Sequence, residues 1–375
     1  MPVAPMLDIL NAAELIVEKG ANYIRGVEKK SDWNSYVPSG VLARIFPVEY
    51  GGEGEPISSL VAIFEGLAYG GGDAGILFAL AAQIWSVQYP VLRFGDERQK
   101  EEFLRPMIRG SLRAAHAATD PGSGSDVFHL QTTARPCPGG YRLVGQKRYI
   151  TSAPVADIAL VLASTDPQRH SWGVSAFLVD LNSNGVSRSS NVPKMGLQSA
   201  EFGELYFDDC FVPAGQRLGV EGAGGSVFSA ALNMERAFIM APALGMMRRE
   251  LDQSVAYANT RTQNGRTIGS FQSVSNRIAD IAIRLEISRL LLYHAAARAD
   301  SNQSIKHYSA LVKLVVSEFS VTTGMDAMRN KGAGGYLLDD SSSTALRDAL
   351  GSLFYSGTSD ILRNIIAGYA GVANV

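Results

Sequence analysis

The stretch PCPGGYRLVGQKRYIT, residues 136–151, decides the architecture. Pro138, Gly139 and Gly140 are turn residues, and after them Tyr141, Leu143 and Gly145 alternate with polar or exposed positions, the two-residue period of a half-buried strand. The same character extends outward. ADIALVLAS (156–164), GVSAFLVDL (173–181) and GELYFDD (203–209) are short β-branched and aromatic runs divided by Gly, Pro, Asn and Asp. They predict an antiparallel β unit over residues 111–224.

On both sides the period becomes helical. Within residues 1–110, apolar residues recur every three or four positions, as at Leu60, Ile63, Phe64 and Leu67. Pro47, Gly51 and Gly52, and then Gly70 to Gly72, break that pattern, so several helices are expected. Residues 225–375 hold three long amphipathic candidates at about 226–260, 271–299 and 304–330. In the second, Ile278, Ile281 and Leu285 form an apolar stripe while Arg277, Asp280, Arg284 and Arg289 take the other face. Such helices pack as a four-helix bundle. The fold class expected is α+β, with an N-terminal helical domain, a middle β domain and a C-terminal bundle.

Composition removes several function classes. Over 375 residues, 34 Lys and Arg face 36 Asp and Glu, so no net field gathers nucleic acid or an anionic membrane. Two cysteines, Cys137 and Cys210, give neither a disulfide framework nor metal-ligand spacing, which suits a reducing, cytoplasmic setting. His116, His129, His170, His294 and His307 lack ligand spacing too, so no metal is expected. AGILFALAAQIW (74–85) is too short an apolar run to span a bilayer and reads as a buried helix, and no export signal is recognised. No Gly-x-Gly-x-x-Gly joins an early strand to a helix, so any dinucleotide is gripped without a Rossmann turn.

Four stretches carry a resemblance: TDPGSGSD (119–126), GYRLVGQKRYIT (140–151) with Ala156-Asp157 after it, RTQNGRTIGSFQ (261–272) and FYSGTSDILRNIIAGY (354–369). Their order and register resemble the acyl-CoA dehydrogenase family, whose usual wording is close to T-E-P-x-A-G-S-D and then G-Y-x-L-x-G-x-K-x-W-I-T. The landmarks run through nearly the whole chain. The resemblance implies FAD as cofactor, with Thr119, Ser125, Tyr149 and Thr151 contacting the isoalloxazine. Small and hydroxyl residues let the backbone approach a planar polar ring, and an aromatic side chain can cover it. Arg261 and Gln272 match residues that reach the pyrophosphate and adenine of a neighbouring subunit's FAD, and Thr358 and Asp360 match residues near the adenosine. An arginine fork suits a pyrophosphate, and the match implies a homo-oligomer, dimer or tetramer. Asn264 replaces the family's aromatic, Arg329 its Gln and Ala333 its second Gly, departures that predict weaker or shifted FAD binding.

The family's commonest branch places a glutamate base where this chain has Ser356, and a serine hydroxyl has no useful basicity near neutral pH. Glu235, in ALNMERAFIMAPALG, is the replacement. It matches a minority branch, including isovaleryl-CoA dehydrogenase and prolyl-carrier-protein oxidases, that carries its base on this helix. Ala231, Glu235 and Ile239 share one helical face, an apolar stripe that would desolvate the carboxylate and strengthen it as a base. The competing reading is an idle salt-bridged helix carboxylate. Arg236 and Ser356 are candidates for the substrate side.

The implied reaction is α,β-dehydrogenation of an acyl or aminoacyl thioester, with Glu235 taking the α proton and flavin N5 the β hydride. The thioester is expected on a carrier protein, with CoA as the other bearer, and the electrons pass to a flavoprotein or to oxygen. The alternatives are a dehydrogenase of short or branched-chain CoA esters, a flavin monooxygenase on the same fold, and a helical scaffold without catalysis. His116, just before TDPGSGSD, can line the flavin pocket, although an ordinary histidine is the favoured reading.

Overall fold

The structure, a computed structural model, describes residues 6–372. Helix α1 (Met6–Arg25) lies along α2 (Ile57–Tyr69), which is buried from Ser59 to Ala68 and is not merely amphipathic. Two glycines set how closely α2 is approached. A Cβ on Gly66 would stand 2.3 Å from the Val17 carbonyl oxygen of α1.

Helix α3 (Ala74–Gln83) continues through one π-helical turn, Ile84–Gln88, into α4 (Tyr89–Phe94). This 21-residue stretch is long and apolar enough to cross a membrane by composition, but 78% of its apolar window is buried inside the protein, as expected of a core helix. Two short helices, α5 (Glu97–Gln99) and α6 (Arg105–Ile108), lead to the sheet.

Its strands are β1 (Ala114–Ala117), β2 (Thr133–Cys137), β3 (Gly140–Thr151), β4 (Ile158–Ser164), β5 (Val174–Asp180), β6 (Val186–Arg188), β7 (Phe202–Pro213) and β8 (Arg217–Leu218). The order is β6-β7-β3-β2-β4-β5-β8, with β1 against β4. The antiparallel expectation holds for most pairs and fails for β1, which runs parallel to β4, as does the end of β2. The whole β2–β3 hairpin separates β1 from β4 in sequence, and that connection lets the two run the same way. Both faces of β4 are buried: Ile158, Leu160 and Leu162 join the helical core, while Ala159, Val161 and Ala163 join the sheet's own core.

The expected helix at 226–260 is two helices, α7 (Gly224–Phe238) and α8 (Ala241–Thr260). Pro242 sits in the first turn of α8, where its missing N–H costs nothing, and the rod breaks just before it. Gly245 of α8 meets α2 so closely that a Cβ would stand 2.0 Å from the Glu65 carbonyl oxygen. A small hairpin, β9 (Thr262–Gln263) and β10 (Arg266–Thr267), leads to α9 (Gln272–Asp300), α10 (Lys306–Lys331), α11 (Ser341–Leu350) and α12 (Ser359–Tyr369). Helix α10 packs against α7, α8, α9, α11 and α12 and is the centre of the bundle. The polar face expected on α9 is in fact turned partly inward. Arg289 pairs with Glu14 at 2.9 Å and with the buried Glu65 at 2.8 Å, and Arg284 pairs with Asp326 at 2.9 Å.

Candidate active site

A cleft of about 660 Å³ opens where the α3 rod, β1, β3, α7 and the segment after α11 converge. A volume of this size suits a cofactor and part of a substrate. Thr119, Ser125, Tyr149 and Thr151 line it from the β domain, and Glu235, Arg236, Ser356 and Thr358 line it from the bundle. Three candidates stand elsewhere and are exposed: Arg261, just before the β9–β10 hairpin, Gln272, the first residue of α9, and Asp360, in the first turn of α12. Asn264 forms the tip of the same hairpin with φ 51°, and Arg329 is paired with Asp326 at 3.4 Å.

The β wall is fixed by a buried ion pair that ties two of the motifs together. Asp120, inside TDPGSGSD, accepts from the backbone N–H groups of Gln131 and Thr132 at 2.6 and 2.7 Å, from the Thr132 hydroxyl at 2.9 Å and from Lys147 Nζ at 2.5 Å. Lys147 also donates to the Ala118 carbonyl at 3.0 Å. Both side chains are fully buried, and burial pushes the lysine down to about 8 against the pull of Asp120. Arg148 N–H donates to the Thr119 carbonyl at 2.8 Å, so the loop and β3 move as one body. A bulge in β3 between Lys147 and Ile150 gives Tyr149 φ 62°, and its ring turns out against Phe202, 6.1 Å between centroids, with Arg148 above it.

Glu235 sits on α7, partly buried, with both carboxylate oxygens occupied. Oε2 accepts from the Ser86 hydroxyl at 2.5 Å, and Oε1 accepts a short hydrogen bond from the Ser356 hydroxyl. No salt bridge reaches Glu235 among the described residues. The expected apolar stripe is present: Ala231 and Ile239 are buried, and Ile239, which caps α7, donates its N–H to the Glu235 carbonyl at 2.9 Å. What the stripe did not foretell is what touches the carboxylate itself, a pair of hydroxyls, one from 149 residues before it and one from 121 after.

Ser86 was not legible as a site residue. It lies in the π turn, which inserts an extra residue per turn and so redirects the side chains after it. The one signal in the sequence was a serine standing among apolar residues in AAQIWSVQ. Arg236 does not point at open cleft alone: its Nε donates to the Ser356 carbonyl at 3.1 Å, and burial holds its guanidinium below the usual range while Glu235 opposes. Ser356 has φ 56°, a costly conformation for a residue with a side chain, which these two contacts hold.

His116 lines the cleft, stacked on Phe228 at 5.9 Å, and burial pushes its imidazole below the ordinary range while Glu235 opposes. Its Nε2 is buried without a partner. An orphaned polar atom on the wall of a largely apolar cleft fits a planar ligand with polar edges, as a flavin has. A second edge of the cleft, Met195 to Ala200, is clamped at both ends. Leu197 N–H donates to Asp348 at 2.6 Å and the Ser199 hydroxyl to Asp73 at 2.8 Å. Burial pushes Asp348 up to about 6.

A helical unit, a mixed sheet and a helical bundle meeting at a cleft with a hydroxyl-bound carboxylate define a class, and comparison with known proteins bears it out. The N-terminal, middle and C-terminal acyl-CoA dehydrogenase domain families match residues 11–111, 115–210 and 222–370. The chain belongs to the acyl-CoA dehydrogenase family. Within it, the chain is 39% identical over 321 residues to an L-prolyl-[peptidyl-carrier protein] dehydrogenase of Serratia sp., covering 85% of this chain and 83% of that one. It also superimposes on the prolyl acyl carrier protein oxidase AnaB with a TM-score of 0.93 at 35% identity, covering 96% and 99% of the two chains. A structure of PigA with FAD and proline gives a TM-score of 0.93 at 33% identity, covering 96% and 98%.

Proposed function

We propose that this protein is an FAD-dependent dehydrogenase of an aminoacyl thioester borne on a carrier protein, with Glu235 as the proton acceptor. The observation that carries this reading is the placement of Glu235, on a helix facing the cleft, with a hydroxyl on each oxygen and, among the described residues, no cation paired to it. The similarity to prolyl-carrier-protein dehydrogenases and to PigA with FAD and proline supports the substrate class and the cofactor.

FAD, when bound, supplies the acceptor for the hydride that leaves the β carbon. Glu235 takes the α proton, and the carbon–carbon double bond forms from the electrons of the broken α C–H bond. Ser86 and Ser356 hold the carboxylate in one orientation before the substrate arrives, so that no reorganisation is needed at the moment of transfer. Arg236 lines the cleft on the substrate side and holds Ser356 in place through its carbonyl. Thr119, Ser125, Tyr149 and Thr151 are assigned to the isoalloxazine, and Thr358 and Asp360 to the adenosine.

The exposed positions of Arg261 and Gln272 support their service to a neighbouring subunit's cofactor, hence a homo-oligomer. Exposed Tyr336 and Leu338, at 82% and 78%, favour the same conclusion, since bare apolar side chains mark association surfaces. Electrons leave to another flavoprotein or to oxygen. Two free cysteines agree with a cytoplasmic setting.

The test is flavin bleaching under anaerobic conditions with carrier proteins loaded with prolyl or seryl groups, set against simple acyl-CoA esters. Loaded carriers are expected to reduce the flavin and to yield a product lacking two hydrogens. Fast reduction by CoA esters with none by loaded carriers overturns the assignment.

A further inference from the structure

Among the described residues of the bundle, Lys313 is the one fully buried lysine, and it reaches the segment that carries Ser356. It lies on α10, the central helix, and among the described residues no carboxylate is within ion-pair distance of it. Its Nζ instead makes a short hydrogen bond to the Ser352 carbonyl, donates to the Ser317 hydroxyl at 3.0 Å, and sits 4.6 Å from the centre of the Tyr355 ring. A long amphipathic side chain sent wholly into a protein interior forfeits its hydration, and that is tolerated only where its donors are used. Here one donor goes to Ser317 of the same helix, and the others face one short segment, at the Ser352 carbonyl and the Tyr355 ring.

That segment, 351–357, turns between α11 and α12 and presents Tyr355 and Ser356 to the cleft. Lys313 grips it at the Ser352 carbonyl, and Arg236 grips it four residues later at the Ser356 carbonyl. Between the two grips lies the ring of Tyr355, packed on Phe78 at 4.6 Å, and beyond it the strained Ser356 that reaches Glu235.

We propose that Lys313 is a positioning residue of the dehydrogenation: by holding the Ser352 carbonyl and the face of Tyr355 it fixes segment 351–357 so that the Ser356 hydroxyl meets the Glu235 carboxylate. The inference rests on Glu235 as the proton acceptor. Burial pushes the lysine down to about 7, with Arg236 adding to that and Glu235 and Glu318 opposing it, so neutral acceptors and an aromatic face are its main support.

The experiment compares wild type with Lys313→Met, which keeps the length and apolar body of the side chain, in the flavin-loaded enzyme. Amide hydrogen exchange over 351–357 is expected to quicken at least tenfold, in line with the loss of a hydrogen bond made by a charged donor, with exchange elsewhere unchanged. kcat is expected to fall about tenfold and KM to stay within about twofold, because the substrate itself is not touched. Lys313→Met combined with Ser356→Ala is expected to be no slower than the slower single variant, since both act on one contact. If the methionine variant does not fold, Ser317→Ala, which removes the hydroxyl steadying Nζ, is expected to give the same two changes in smaller measure.

Unchanged exchange and kcat, or full additivity in the double variant, overturns the proposal. Glu235→Gln separates the two readings. If it abolishes turnover while Lys313→Met does nothing, the base stands and the positioning role falls; if it leaves turnover intact, the base itself falls.

Discussion

Replacing Glu235 with Gln isolates the proton acceptor with little else disturbed. The amide has the size of the carboxylate and can still accept one hydroxyl, from either Ser86 or Ser356. Its NH₂ end cannot accept the other, so that serine must rotate and accept instead, and one charge-assisted hydrogen bond worth about 1.5–3 kcal/mol is lost. Because Glu235 is only partly buried and has no cation to strand among the described residues, global stability should fall by no more than that one bond, about 1.5–3 kcal/mol at most. Catalysis should change far more. Removing a positioned general base costs about 10²–10⁴ in rate, which is roughly 2.7–5.5 kcal/mol of barrier. The assay is stopped-flow bleaching of the bound flavin by a loaded carrier protein without oxygen, with thermal unfolding run in parallel. A variant that reduces its flavin within about threefold of the wild-type rate, far short of the expected loss, refutes the reasoning and moves the protein toward the monooxygenase reading, which needs no carboxylate.

Ser86→Ala deletes one of the two hydroxyls on Glu235; kcat should fall about tenfold with KM nearly constant, and a change confined to KM would count against a carboxylate-orienting role. Lys147→Met strands Asp120 in the β domain, although the aspartate keeps three other donors, so denaturant unfolding should show a loss near the lower end of the usual 3–5 kcal/mol; a loss under about 1 kcal/mol would contradict it. Asp348, raised by burial from the ordinary 3.8 to about 6, binds its proton more tightly when folded than when unfolded. Its contribution is therefore full below pH 3.8 and is lost as pH rises through 6, and the stability difference between wild type and Asp348→Asn should move in that window and be flat above it.

Much of the site was readable because the family's motifs are local. Thr119, Ser125, Tyr149 and Thr151 fall in two short stretches whose turn and strand chemistry is set by neighbours in sequence, and they arrive at one wall. Glu235 was found by an absence, a serine at the usual place of the base. Its apolar helical face is local and readable, whereas the two hydroxyls on its carboxylate come from distant elements and were not, because an isolated helix says nothing about what faces it.

By itself, the sequence determined the succession of helical, β and helical units, the hairpin turn at Pro138 to Gly140, the buried rod from Ala74 and the identity of the candidate base. These rest on periodicity, turn residues and apolar content, which act over a few residues. Only the tertiary structure decided that β1 lies parallel to β4, that the arginines of α9 face inward, and that Ser86, Glu235 and Ser356 share one set of hydrogen bonds. Those contacts join residues from about forty to more than two hundred positions apart, and the geometry around Glu235 depends on a π turn and a strained backbone that packing imposes after the local structure has formed.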